Sequence, residues 1–155
     1  MSKRKIIAGT VLVLFISIQF IRPRRNDDGK FGGAAFAQQY AVPNSVNRIL
    51  QDACYDCHSN QNSYPWCTDI QPVGWIMARH IRRGKAELNF SEFSNYSNRR
   101  QVSKLKGIAN QIEDNAMPLK SYKLLHRAAR LTSEEKKLLI SWMRNKADSI
   151  SSIDQ

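Results

Sequence analysis

Five consecutive residues constrain this chain more than any others: Cys54-Tyr55-Asp56-Cys57-His58. The pattern C-x-x-C-H is the attachment motif of a c-type haem. Two thiols three positions apart each add to one vinyl group of the same porphyrin, and the histidine that follows reaches the iron as proximal ligand. The motif therefore predicts one covalent haem c held through Cys54 and Cys57, with His58 on the iron.

Two other interpretations of the cysteine pair stay open. A C-x-x-C pair supplies half of a zinc site, and Cys67 with His80 or His126 would complete the four ligands of a zinc-stabilised interaction module. A thioredoxin-like redox pair expects a βαβ context, which the sequence does not display. The histidine directly after the second cysteine favours haem. Cys67 is an odd thiol, either a small buried side chain or a redox or disulfide-forming one.

The N-terminal segment predicts a membrane anchor. Residues 6–21 carry no charge and follow Lys3-Arg4-Lys5, which is typical of a signal-peptide core or of a short membrane helix. We expect an uncleaved signal anchor or transmembrane helix over residues 1–25 and a flexible linker over residues 26–42. The alternative is cleavage after Ala37, which would release the remainder to the periplasm.

Basic residues lie on both sides of the uncharged run, so the positive-inside rule does not orient it. Covalent haem attachment takes place on the outer side of the bacterial cytoplasmic membrane. The prediction is therefore a single-pass protein of the cytoplasmic membrane, with its haem domain in the periplasm or at the cell exterior.

The net charge of +11 on 155 residues raises the question of nucleic-acid binding. Much of the excess flanks the N-terminal run: from residue 38 onward there are 17 basic and 11 acidic side chains, a balance of +6. No basic-aromatic module is visible either. We expect no nucleic-acid partner.

Helical periodicity predicts an all-α fold, with about four helices in a cytochrome c-like bundle around one haem. The first helix follows Pro43 and delivers Cys54 at its end, and the second runs from near Pro72 to Gly84. The third runs over residues 98–115, and the last begins at Thr132 with a capping box. The haem-binding domain is expected over residues 43–147, with a C-terminal tail over residues 148–155.

Met117 is the predicted distal iron ligand, because it precedes Pro118 in a loop between two helices, where small cytochromes often place an axial methionine. Packing in the core is the alternative role, and for Met77 and Met143 it is the expected one. His80 is the alternative distal ligand, since it lies on an apolar helix face. His126 is a weaker candidate. Arg79, Arg82 and Arg83 would either pair a haem propionate or form a solvated basic face.

Residues from Pro43 to about Lys146 resemble the bacterial haem-binding domain family of small, often membrane-anchored, c-type cytochrome-like proteins. The matching segments are CYDCHSN (54–60), YPW (64–66), IQPVGW (70–75), HIRRGKAELNFSEF (80–93), MPL (117–119) and LTSEEKKLLISW (131–142). The resemblance implies covalent haem through the two cysteines of the motif and His58 as proximal ligand. Because members resemble cytochrome c and dihaem peroxidase modules, it also implies electron transfer.

The functional prediction is an electron carrier that exchanges electrons with redox partner proteins. No Ser-His-Asp pattern, phosphate loop or paired-carboxylate motif is present, so we expect neither a catalytic residue nor an enzyme. The alternative is a haem-based sensor or a peroxidase-type accessory domain, in which the sixth iron position is open or its ligand is displaceable.

Overall fold

The structure is a computed structural model that describes residues 2–26 and 33–152. These residues form eight α-helices and three short 3₁₀ helices, and no strand is found among them. The α-helices are α1 (Lys3–Ile18), α2 (Ala34–Gln39), α3 (Asn44–Ala53), α4 (Tyr55–His58), α5 (Val73–Glu87), α6 (Asn98–Glu113), α7 (Lys120–Leu125) and α8 (Ser133–Ser151). The 3₁₀ helices span Trp66–Asp69, Phe90–Asn95 and Arg127–Ala129. The all-α prediction is confirmed, although the described helices are more numerous than the expected four.

Among the described helices, α6 and α8 make the most extensive contact with each other, and this contact forms the centre of the core. Both helices present one apolar face, as their periodicity predicts. The fully buried side chains at this contact are Leu105, Ala109 and Ile112 from α6 and Leu139, Met143 and Ala147 from α8. The predicted capping box at the start of α8 is confirmed: Thr132 Oγ1 accepts from Glu135 N at 3.2 Å, and Glu135 Oε2 accepts from Thr132 N at 2.8 Å.

The predicted membrane anchor is wrong. Among residues 2–26 and 33–152, no helix is both long and apolar enough to cross a membrane. The first three residues of α1 are basic, so its apolar part runs only from Ile6 to Ile18. At 1.5 Å per residue this part is about 20 Å long, short of the roughly 30 Å of a bilayer core. The expectation of a single-pass location at the cytoplasmic membrane falls with it.

The predicted linker over residues 26–42 is wrong in its second half, where α2 packs into the core; residues 27–32 of that prediction lie outside the described residues. Phe36 is only 1% exposed, and its ring lies 4.8 Å from that of Phe90 and 5.0 Å from that of Phe93, both edge-on. Tyr40 is buried against Phe93 and donates to Gln101 Oε1 at 2.8 Å. Cleavage after Ala37 would remove Phe36 from this aromatic cluster.

Two predicted boundaries are also wrong. The tail was expected from residue 148, but α8 continues to Ser151 because Ala147 and Ile150 are buried against the core. The second predicted helix was expected to stop at Gly84, but α5 continues to Glu87.

The segment that follows α1 is held against the rest of the chain by paired polar contacts. The Gln19 side-chain amide donates to Gln71 O at 3.2 Å and accepts from Gln71 N at 2.8 Å. The Trp75 indole donates to Ile21 O at 2.7 Å, and Arg25 pairs with Asp69 at 2.6 Å. Residues 19–26, which we call the N-terminal strap, thus lie along the segment from Tyr64 to Trp75.

Candidate functional site

The last four residues of the C-x-x-C-H motif form a short helix of their own, α4, which Cys54 separates from α3. The backbone of Cys54 leaves the helical region at φ −127°, which ends α3 and starts α4 in one residue. Its carbonyl then accepts from Cys57 N at 3.1 Å and from His58 N at 3.0 Å. The two thiols and the imidazole are therefore carried by a single hydrogen-bonded turn.

The two residues between the cysteines anchor that turn on opposite partners. Tyr55 is buried with its ring 5.2 Å from that of Phe90, edge-on, and its hydroxyl donates to Asn47 Oδ1 at 3.2 Å. Asp56 accepts from Ser63 N at 3.0 Å and from the Tyr122 hydroxyl at 2.7 Å. The motif alone does not predict either role.

His58 is oriented by backbone carbonyls. Its Nδ1 lies 3.0 Å from Gly84 O and 3.1 Å from Leu88 O, both at the C-terminal end of α5. Since carbonyl oxygens only accept, Nδ1 carries the proton, and Nε2 is left as the nitrogen that is free to bind a metal. Burial lowers the pKa of His58 below its usual value, although the two carbonyl contacts oppose this shift. The neutral, oriented imidazole is the form that ligates metals.

Gly84 explains how α5 reaches this histidine. A β-carbon at Gly84 would lie 2.6 Å from Cys57 O and 3.4 Å from Cys57 Cβ. Only glycine permits helices to approach this closely. Gly84, at which the periodicity predicts the helix to end, is instead a packing contact behind the motif.

Two adjoining cavities lie in front of the motif. The first, of ≈ 370 Å³, is lined by Cys54, Leu88, Phe90, Lys104 and Ile108 among others, and the second, of ≈ 430 Å³, by Cys57, Ile76, Met77, His80 and Tyr122 among others. Five residues line both: Ala53, His58, Glu87, Met117 and Pro118. One thiol thus opens on each cavity, and His58 and Met117 lie where the two cavities meet.

The cysteines lie in apolar surroundings. Burial, together with the neighbouring Cys57, raises the pKa of Cys54 to about 12, and burial, together with Asp56, raises that of Cys57 to about 11. Both side chains are therefore neutral thiols at pH 7 in the folded chain.

The other candidate ligands line only the second cavity or neither cavity. His80 lines only the second cavity, as does His126, whose ring stacks on that of Tyr122 at 4.1 Å. Met143 is fully buried, as expected, but Met77 lines the second cavity rather than the core. The apolar face of α5 that carries Met77 borders a cavity. Helical periodicity alone does not distinguish such a face from one that packs in the core.

Cys67 and the arginines of α5 are separated from this arrangement. Cys67 belongs to the 3₁₀ helix Trp66–Asp69 and lines neither cavity. Of the three arginines considered for propionate binding, only Arg83 lines a cavity. No group of three or more histidine, cysteine or acidic residues that could hold a metal ion is found in the described part of the chain, so the zinc interpretation finds no ligand set there.

Comparison with known families gives one match. A sequence profile of the haem-binding domain matches residues 13–145, which includes α1 from its middle, the N-terminal strap and both cavities. Comparisons with curated proteins and with solved structures find no similar protein.

Proposed function

Because the chain belongs to the haem-binding domain family, we propose that it holds one covalently attached haem c and carries electrons between redox partner proteins. The observation that carries this proposal is the pairing of His58 Nδ1 with Gly84 O and Leu88 O, at 3.0 and 3.1 Å. An imidazole held in this way presents Nε2 to a metal in a fixed orientation.

The residues around the two cavities fit a haem. Cys54 and Cys57 would form the thioether bonds, one from each cavity, and His58 would bind the iron. The walls are largely apolar, with Phe90, Ile108 and Met77 among them, and such walls keep water away from a porphyrin. When bound, the haem supplies a one-electron ferric/ferrous couple whose potential depends on the axial ligands.

Met117 is the distal ligand in this proposal. It lines both cavities, as His58 does, whereas His80, Met77 and His126 line only the second. Because Met117 and His58 both lie where the cavities meet, Met117 would be the second residue that holds the iron. Pro118 is buried directly after it and fixes the position of the loop.

Covalent attachment is tested by denaturing electrophoresis followed by haem staining. Protein expressed with haem-maturation machinery should keep the stain, because thioether bonds survive denaturation. The double substitution Cys54→Ala/Cys57→Ala should lose it, and Cys67→Ala, which lines neither cavity, should keep it. Colour that extracts into acidified organic solvent would contradict a covalent bond.

Distal ligation is tested by absorption spectroscopy of the ferric protein. The wild type should show the weak sulfur-to-iron band of a methionine-ligated haem, and Met117→Ala should abolish it and open the iron to carbon monoxide in the ferrous state. Met77→Ala and His80→Ala are the matched controls and should keep the band.

Two results would change the assignment. Loss of low-spin character only in His80→Ala would transfer the role to that histidine. Ready binding of carbon monoxide by the wild type would favour the sensor or peroxidase alternative over the electron carrier.

A further inference from the structure

The segment that follows Met117 is strongly basic and carries no acidic residue. Between Asp114 and Glu134 the chain has Lys120, Lys123, Arg127 and Arg130 and neither aspartate nor glutamate. It folds into α7 and the 3₁₀ helix Arg127–Ala129, and it exposes two leucines: Leu124 is 74% and Leu125 63% exposed. Neighbouring apolar side chains that are left exposed and surrounded by polar residues often mark an interaction surface.

Three of these cations, together with Lys136 of α8, surround a third cavity. It measures ≈ 370 Å³, and its wall includes Lys120, Lys123, Arg130 and Lys136 together with Leu124 and Met117. We call these four cations the basic rim.

The basic rim is not neutralised within the described part of the chain. None of its members forms an ion pair there: Arg130 donates to Lys123 O at 2.9 Å, and Lys136 donates to Asn115 Oδ1. By contrast, two cations on α6 and α8 are paired with carboxylates, Lys106 with Asp148 and Arg144 with Glu113. A cavity lined by cations without carboxylates attracts an acidic partner.

The third cavity adjoins the haem-binding cavities. Met117 and Pro118 line all three, so these two residues form the wall between the basic rim and the place proposed for the haem. A group in the third cavity is therefore close to the proposed iron ligand.

We propose that the third cavity and its basic rim are the docking site for an acidic electron-transfer protein. The partner would insert one apolar side chain against Leu124 and place carboxylates on the surrounding cations. This inference rests on the proposed electron-carrier function. An apolar centre within a charged rim is the usual anatomy of a protein–protein interface, and a charged rim raises the association rate more than the affinity.

Binding is tested on the full haem-loaded chain with a fluorescent peptide, Glu-Asp-Glu-Phe-Glu-Asp-Glu, by anisotropy at low ionic strength. Lys120→Glu/Lys123→Glu should weaken binding roughly tenfold or more, since four units of charge change at the site. The control Arg79→Glu/Arg82→Glu makes the same change at exposed positions on α5 that line none of the three cavities, and it should bind as the wild type does. Leu124→Ser should remove the preference for this peptide over one with alanine in place of phenylalanine.

Equal binding by the two charge-reversed variants would overturn the docking site. A second result would also overturn it. In that result, the wild type binds vesicles of equal parts phosphatidylglycerol and phosphatidylcholine but not the peptide, and Lys120→Glu/Lys123→Glu does not bind the vesicles. That result would assign the rim to a lipid surface.

A second readout separates this inference from the function on which it rests. The ferrous protein gives one electron to ferricyanide, which becomes ferrocyanide, or to tris(phenanthroline)cobalt(III), which becomes the cobalt(II) complex. Lys120→Glu/Lys123→Glu should slow the reaction with the anionic oxidant several-fold and accelerate the reaction with the cationic one, with both effects shrinking as salt is added. If neither oxidant reacted with the wild type, the electron-carrier function would fail. If both reacted but the reversal changed nothing, the docking site alone would fail.

Discussion

At Gly84, the main chain of α5 approaches Cys57 so closely that a methyl group does not fit: an added Cβ would lie 2.6 Å from the Cys57 carbonyl oxygen. Glycine to alanine inside a helix normally stabilises by about 1 kcal/mol. We expect the opposite sign for Gly84→Ala, a loss of about 1–3 kcal/mol from overpacking, measured by urea unfolding of the haem-loaded chain. If Met117 and His58 hold a haem iron as proposed, the sulfur-to-iron band should also change, since Gly84 O accepts from His58 Nδ1. Gly9→Ala, in the interior of α1 where nothing lies within 4 Å of an added Cβ, is the control: it should show the ordinary stabilisation of up to about 1 kcal/mol and leave the band unchanged. Stabilisation by Gly84→Ala would show that α5 can shift away from Cys57.

Few contacts hold the eight residues of the N-terminal strap against the rest of the chain. Gln19 is the central one, since its amide satisfies both the N–H and the carbonyl of the buried Gln71. Gln19→Ala leaves those two backbone groups without their partner and should cost about 1–2 kcal/mol, detected as a lower midpoint of thermal unfolding. Gln38→Ala, at an exposed glutamine on α2, is the matched comparison and should be neutral. Equal midpoints for both variants would mean that the strap contributes nothing to stability.

At the scale of the whole molecule, the hydrogen bond from the Tyr122 hydroxyl to Asp56, 2.7 Å long, joins the motif helix to the segment after Met117. Burial raises the pKa of Tyr122, and the bond to Asp56 adds to the shift. A raised pKa gives stability that is complete below the unfolded value of about 10 and is lost as the pH rises above it. Tyr122→Phe should therefore cost about 1 kcal/mol at pH 7 and show a shallower decline of stability between pH 9 and 11 than the wild type, both from urea unfolding. Parallel declines for the two proteins would contradict this role of Tyr122.

The sequence predicts the features of this structure that depend on neighbouring residues, and it does not predict those that depend on contacts between distant residues. The periodicities of α3, α6 and α8 are local and predict most of the buried residues, such as Leu105 in α6 and Leu139 in α8, although Leu138, which the same pattern turns towards the core, is 42% exposed. The C-x-x-C-H spacing is local too, and it names three residues that meet at the two cavities. Gly84 and the strap were missed, because a glycine behind Cys57 or a glutamine 52 positions from its partner leaves no periodic pattern.

The N-terminal errors have a different physical cause. The sequence of an uncharged run does not show where its helix ends. The structure ends α1 at Ile18, three residues before the end of the run, which shortens the apolar helix. Phe36 lies in a stretch rich in glycine and alanine that has no periodicity of its own. Its burial depends on rings from Phe90 and Phe93, more than fifty residues away.

The order of Tyr55 and Asp56 has a consequence for anyone who would transplant this motif to another scaffold. The two side chains have different surroundings: the Tyr55 ring packs in the cluster around Phe90, and the Asp56 carboxylate accepts hydrogen bonds from Ser63 and Tyr122. The exchange Tyr55→Asp/Asp56→Tyr preserves composition, charge and the C-x-x-C-H pattern, yet it drives a carboxylate into an apolar pocket. We expect such a chain to be recovered as insoluble protein with no haem stain. A new scaffold would therefore have to provide an aromatic pocket for the first of these two residues and hydrogen-bond donors for the second.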